Sequence, residues 1–225
     1  ISARRERRVG LSDLDPAEAK CPQQLDRGAA VWLSLDVDDV REGPAFGLLS
    51  LLDLTSARLV DAEQVILTEA GRLIEHGVRY VEVMSGGWDT HSENFDRLGS
   101  LTPPIDQGIS ALLADLEARG LLEDTMIVFT SEFGRTPDID EDNGRNHYPK
   151  AFSALLAGGG VQGGTRYGKT DKEGREVISD PVSIQDLNAT IVYACGVPTN
   201  HILNSSSGRP FKVADKGMPI TEVFG

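Results

Sequence analysis

The sequence predicts an α/β fold, a layered sandwich in which helices flank a mostly parallel central sheet. Two observations lead to this prediction. Strand-like apolar runs alternate with helical apolar patterns, and short connections join them. Residues 126–130 are almost continuously apolar, which is typical of a strand covered on both faces. In such a sheet, ligands bind beyond the carboxyl ends of the strands.

The first half of the chain contains two strand patterns and one helical pattern. Residues 29–35 read as a strand that runs into the carboxylates of residues 36–39. Those carboxylates either form a solvated turn or supply metal ligands at a strand end. Residues 60–74 carry a helical apolar face that Gly77 ends, and residues 78–84 are β-branched and aromatic, as in a strand.

The second half continues the alternation. Apolar residues between 105 and 116 recur at helical spacing, and Gly120 closes that helix. Residues 151–157 form a short apolar segment, and residues 161–180 are polar and glycine-rich, as in a hairpin or surface loop. A capping box then opens a helix over residues 183–194.

Composition excludes several classes of function. The 225 residues carry 35 acids against 22 bases, a formal charge of −13. Such a chain repels phosphate backbones and anionic lipid, so we expect no nucleic-acid partner. No apolar run reaches the roughly 18 residues of a membrane span. Residues 51–225 form the predicted domain, residues 1–50 are poorly assigned, and the oligomeric state is left open.

A first polar cluster follows the strand pattern of residues 78–84. Asp89 and His91 are two residues apart, so in an extended segment they point the same way. A carboxylate and an imidazole can then converge on one divalent cation. The alternative is a histidine that only makes hydrogen bonds.

One further cluster follows residues 126–130, and another, around His147, precedes the apolar segment of residues 151–157. Glu132 comes directly after a buried strand, where an acid is costly unless a metal or a base such as Arg135 compensates it. His147 either ligates metal, transfers protons or is a loop histidine. Arg135 and Arg145 suit an anionic oxygen of a substrate, although Arg145 also fits a solvated loop. Together the clusters predict a metal site that binds an anion.

These motifs also resemble a known family. Over about residues 65–225 they look like domain-of-unknown-function family 1501, placed in the alkaline phosphatase/sulfatase superfamily, and the resemblance implies a partial alkaline-phosphatase-like version of the fold. Residues 121–134 are similar to the sulfatase segment D-N-T-x-V-x-F-T-S-D-H-G. The motifs that carry the family resemblance are, in order, G-G-W-D-T-H, S-E-F-G-R-T-P, G-R-N-H-Y-P, L-A-G-G-G and a final G-R-P.

The resemblance assigns roles to single residues. Asp89 and His91 look like a pair that holds one metal, and His147 looks like the later histidine that completes the site. Glu132 stands where sulfatases place the Asp of D-H-G. The implied cofactor is a divalent ion, Zn, Ca, Mn or Mg.

Two departures from the pattern point to one metal or a weaker second site. Phe133 stands where sulfatases have a second His, and Asn146 stands where relatives usually have Asp.

The implied activity is metal-dependent hydrolysis of a small anionic ester, a phosphate or a sulfate. Many members of the superfamily work outside the cytoplasm, which would suit an exported protein, but the sequence leaves the compartment open. The sequence shows no sulfatase-type C-x-P-x-R motif, Cys21 does not fit one, and Thr90 is only a candidate substitute nucleophile. We therefore assign no catalytic residue and expect a C-terminal fragment or a short member without catalysis. The alternatives are a non-catalytic metal- or ligand-binding domain, and a structural module with internal salt bridges.

Overall fold

The computed structural model describes residues 29–35 by their backbone, and residues 70–205 and 207–225 in full. The predicted helix of residues 60–74 is therefore described only from residue 70, and the carboxylates of residues 36–39 and Cys21 lie outside the described residues. The described strands are, in chain order, β1 (Ala29–Leu35), β2 (Tyr80–Ser85), β3 (Thr125–Ser131), β4 (Gly134–Arg135), β5 (His147–Tyr148), β6 (Leu155–Gly158), β7 (Lys169–Thr170), β8 (Val177–Ser179), β9 (Ile202–Asn204) and β10 (Pro210–Lys212).

Four of these strands form one sheet in the order β2-β1-β3-β6. β1 pairs in parallel with both β2 and β3, whereas β6 runs antiparallel to β3. The other six described strands form three separate two-stranded antiparallel ladders, β4 with β5, β7 with β8, and β9 with β10.

The predicted layered sandwich with a mostly parallel central sheet flanked by helices is wrong. The described sheet is small, its β6 edge is antiparallel, and most described strands lie in short antiparallel pairs. The physical reason lies in the connection after β3. A parallel neighbour needs a crossover of a dozen or more residues, usually a helix, but the described residues between β3 and β6 contain no helix. Apolar periodicity identifies strands but does not fix their direction.

Two helices have both ends described. α1 spans Asn94–Ala118 and ends before Gly120, whose φ of 67° is the left-handed conformation typical of a helix C-terminus. This helix begins well before the apolar pattern at residue 105 and continues through Pro103 and Pro104. α2 spans Ile184–Ala194, and the predicted capping box is confirmed because Ser183 and Asp186 cap each other reciprocally.

Helical residues also occupy positions 70–75, and a short 3-10 helix spans Thr221–Val223. Among the described residues, we find no helix with the length and apolar character needed to cross a bilayer.

The core lies on both sides of β3. Ile127 packs in a cluster with side chains of β2, α1 and the helical residues 70–75. Its neighbours Met126 and Val128 pack instead against Leu187 and other side chains of α2. All three β3 residues are 0% exposed, which confirms that this strand is covered on both faces.

The capping box of α2 gives a pH-dependent prediction. Hydrogen bonds from the Met218 backbone and the Ser183 side chain lower the pKa of Asp186 below its usual value, against a smaller opposing effect of burial. Its stabilisation is therefore present above about pH 4, the unfolded pKa, and is lost as pH falls through the folded pKa. Asp186→Asn should cost about 1 kcal/mol of unfolding free energy at pH 7, as lost caps do.

The measurement is urea unfolding of both proteins at pH 7 and again in acid, where their free energies should converge. Asp106→Asn, at an exposed position in α1, serves as the matched control and should change the unfolding free energy by less than about 0.5 kcal/mol. If Asp186→Asn lowers the unfolding free energy equally at both pH values, the stabilisation does not come from the ionised carboxylate of Asp186.

Candidate metal centre

The carboxyl ends of β2 and β3 lie at the same edge of the sheet, on either side of β1. In the parallel register, Leu35 of β1 is the partner of both Ser85 and Ser131, the last residues of β2 and β3. Neighbouring strands lie about 4.8 Å apart, so these two ends are about 10 Å apart. The segments that begin at Gly86 and Glu132 therefore leave the sheet next to each other.

Three of the residues predicted from the sequence come together beyond this edge. Asp89 Oδ1 lies 2.9 Å from His91 Nε2 and 3.2 Å from His147 Nε2. The two Nε2 atoms are 3.1 Å apart. The side chains of Asp89, His91 and His147 are 32%, 45% and 42% exposed, so solvent and solutes reach the cluster.

A short antiparallel ladder brings His147 to Asp89. Arg135 of β4 and His147 of β5 are direct partners, so both side chains lie at the same level of the ladder. Arg135 Nη2 donates to Asp89 Oδ1 at 2.8 Å, and the Phe133 ring packs on the His147 imidazole with centroids 4.4 Å apart. The ladder therefore delivers an imidazole and a guanidinium to one carboxylate oxygen.

The segment that carries Asp89 and His91 is fixed from α1. Arg97 donates to the backbone oxygens of Asp89, at 3.0 Å, and Gly87, at 2.9 Å. Sequence reasoning missed Arg97, because no periodicity links a residue in the first turns of a helix to the loop before it. The segment itself is not a regular strand, since Thr90 N–H donates to the Trp88 carbonyl oxygen.

The hydroxyl of Thr90 is closed off. Thr90 is 1% exposed, and its Oγ1 donates to Asn94 Oδ1 at 2.7 Å. Its carbonyl oxygen accepts from the Arg145 N–H, which ties this segment to the loop before β5. A substrate would not reach this hydroxyl without local rearrangement, so the geometry does not favour Thr90 as a nucleophile.

The loop before β5 packs directly on the ligand-bearing segment. A Cβ on Gly144 would lie 1.9 Å from the backbone oxygen of His91, so only glycine permits this approach. Asp140 Oδ1 holds the loop by accepting from the backbone N–H groups of Gly144 at 2.8 Å and Asp142 at 3.1 Å. The spacing of His91 and His147 therefore depends on a backbone contact.

The other predicted residues take different places. Arg145 Nη1 donates to the carbonyl oxygens of Thr136 and Pro137, and Arg135 also donates to the carbonyl oxygen of Arg145. The guanidinium groups of both arginines that were predicted to bind substrate thus bind other groups of the protein. Glu132 is exposed and is not part of the three-residue cluster, and Arg135 forms an ion pair with Asp89.

The electrostatics keep Asp89 ionised. Burial alone would raise the pKa of its carboxyl, but hydrogen bonds from Arg135 and His147 and the positive charge of Arg135 outweigh that effect. The net pKa is below the usual value. An ionised carboxylate beside two imidazoles is a donor set that Zn²⁺ and related divalent ions accept, so these residues fit a metal.

The site belongs to the class of candidate divalent-metal centres with two imidazoles and one carboxylate. The chain is a member of family DUF1501, described as "Protein of unknown function", whose model matches residues 54–224. That match confirms the family predicted from the motifs.

Comparison with solved structures gives a match to one titled "Crystal structure of Ps i-CgsB". The two share 11% sequence identity at a TM-score of 0.39, and the match covers 77% of this chain and 52% of that chain. This chain thus spans about half the length of that protein. No curated protein matches the chain.

Gly144→Ala tests the backbone contact that sets the centre. The added methyl group would overlap the His91 carbonyl oxygen, and we expect a loss of roughly 1–3 kcal/mol in unfolding free energy, as overpacking produces. The imidazole resonances of His91 and His147 should shift in the NMR spectrum.

Gly99→Ala is the matched control, because a Cβ at this position in α1 meets no atom within 4 Å. It should raise stability by up to about 1 kcal/mol and leave the histidine resonances in place. If Gly144→Ala behaves in the same way, the packing of this loop on His91 is not a constraint.

Proposed function

We propose that the chain is a metal-dependent hydrolase of phosphate or sulfate esters that holds a divalent ion with Asp89, His91 and His147. One observation carries the proposal, namely that three donor atoms lie 2.9, 3.1 and 3.2 Å from one another. Atoms at these separations can all lie about 2 Å from one ion, the usual length of zinc–nitrogen and zinc–oxygen bonds.

The arrangement of the two imidazoles also favours a cation. Both histidines turn Nε2 toward the same carboxylate oxygen, and the two Nε2 atoms face each other at 3.1 Å. With neither nitrogen protonated, the two lone pairs and the carboxylate oxygen face one another. A cation between the three atoms would then give each of them a partner.

The number and exposure of the ligands support a catalytic rather than a structural role. Catalytic zinc sites use three protein ligands, whereas structural sites use four. A bound divalent ion would polarise the ester and stabilise its developing negative charge. Arg135 orients Asp89, and the phenyl ring of Phe133 packs against the His147 imidazole at an angle of 41°.

The order of the sequence motifs supports a place for this family in the alkaline phosphatase/sulfatase superfamily. The motifs G-G-W-D-T-H and G-R-N-H-Y-P supply the three proposed ligands, and S-E-F-G-R-T-P supplies Arg135. The topology of the sheet has no part in this inference.

A non-catalytic metal-binding domain is the second candidate. It is favoured by the closed hydroxyl of Thr90 and by the engagement of Arg135 and Arg145 with the protein. Because these contacts engage both arginines, a substrate in the described part of the centre would be bound chiefly through the metal.

Metal content tests the ligands. The purified chain should hold about one equivalent of Zn²⁺ or Mn²⁺ by elemental analysis and lose it to a chelator. Asp89→Asn and His147→Ala should each abolish stoichiometric binding in calorimetric titrations, because two protein ligands do not retain the ion. Glu132→Gln should bind metal like the parent, since Glu132 is outside the cluster.

The matched control is His76→Ala, which removes an exposed imidazole just after the helical residues 70–75. It should retain the metal. A parent chain without metal under replete conditions, or equal loss of metal in His76→Ala, would overturn the proposed ligands.

Turnover separates the two candidate functions. Hydrolysis of p-nitrophenyl phosphate or p-nitrophenyl sulfate that stops with chelator, returns with metal and is absent in Asp89→Asn would support the hydrolase. Stoichiometric metal without turnover of either ester would instead favour the binding domain.

A further inference from the structure

The β9–β10 hairpin and the turn after it line a cavity that is open to solvent. Its volume is about 470 Å³, within the range of small-molecule sites. Three bases, Arg209, Lys212 and Lys216, face it together with the rings of Pro210 and Phe211 and a single acid, Asp215. None of these residues belongs to the candidate metal centre.

The charge of this cavity is opposite to that of the chain. The protein carries −13, yet bases outnumber acids among the residues that line the cavity. Among the described residues, the bases that form ion pairs include Arg119 and Arg175 but not the three bases that line the cavity. Three like charges around one cavity repel one another, and an anion between them relieves that repulsion.

Hydrogen bonds hold the backbone on both sides of the cavity. The two strands pair from Ile202–Lys212 to Asn204–Pro210, and the turn between them is closed by a 2.9 Å bond from Ser205 N–H to the Arg209 carbonyl oxygen. After β10, Met218 N–H donates to Asp186 Oδ1 of α2 at 2.8 Å. Both ends of the cavity are therefore attached to regular structure, which reduces the cost of ordering on binding.

We propose that this cavity binds a small organic phosphate or sulfate, an anion carried on a ring. The anionic group would contact Arg209, Lys212 and Lys216, and the ring would pack on Phe211, whose side chain is 49% exposed. This site is independent of the proposed hydrolase activity.

The test uses the full chain with Asp89→Asn and chelator present, so that the probes cannot bind through a metal. Phenyl phosphate and phenyl sulfate are titrated separately, and binding is followed by amide NMR shifts. We expect saturable shifts at residues 209–216 in the millimolar range that weaken with added salt. The relative affinities of the two probes identify the preferred anion.

Variants separate the two parts of the cavity. Lys212→Ala and Arg209→Ala should each weaken both probes about three- to tenfold. Phe211→Ala should weaken phenyl phosphate but leave the affinity for inorganic phosphate unchanged. Arg166→Ala removes an exposed base outside the cavity and should change neither affinity.

Three outcomes would overturn the proposal. They are the absence of saturable shifts for both probes, shifts centred away from residues 209–216, and a loss in Arg166→Ala equal to that in Lys212→Ala. The last would show attraction by general surface charge.

Discussion

The parallel, in-register pairing of β1 with β2 and β3 determines where the candidate metal centre forms. Because Leu35 of β1 has Ser85 on one side and Ser131 on the other, the two strands that flank β1 end at the same level. The ends are separated by a gap of about 10 Å. The chain closes it with the β4–β5 ladder, which places Arg135 and His147 beside Asp89.

Asp89 Oδ1 is the atom through which these segments meet. It lies within 3.2 Å of Arg135 Nη2, His91 Nε2 and His147 Nε2. Ion pairs that are this accessible contribute at most about 1 kcal/mol to stability, so the contacts do not hold the fold together. Their effect is orientation. The positions of the groups come instead from backbone contacts, among them the packing of Gly144 on His91, which leaves no room for a Cβ.

Local features of the fold were predictable from the sequence, and distant ones were not. The buried β3 strand and the capping box of α2 depend on neighbouring residues, and the structure confirms both. The antiparallel direction of β6 depends on the connection before it, and periodicity carries no information about direction. For this reason the predicted sandwich was wrong although the strands β1, β2 and β3 were identified.

The candidate site shows the same division. Asp89, His91 and His147 were selected by residue type and position after strands, and the structure brings them together, while their role as ligands remains a proposal. Glu132 met the same criteria but lies outside the cluster. The contacts of Arg97 and Arg145 with backbone oxygens could not be predicted, because carbonyl acceptors leave no trace in residue type.

The charge of the chain constrains how an anionic ester could bind at the centre. A net charge of −13 attracts cations and repels anions, and the exposed Glu141 and Asp142 of the neighbouring loop add to this field. The arginines around the centre, Arg97, Arg135 and Arg145, already bind a carboxylate and backbone oxygens. In the described part of the centre, a divalent ion would therefore be the main source of positive charge for such a substrate. Substrate affinity at this centre should then depend on metal occupancy, whereas anion binding at the β9–β10 cavity should not.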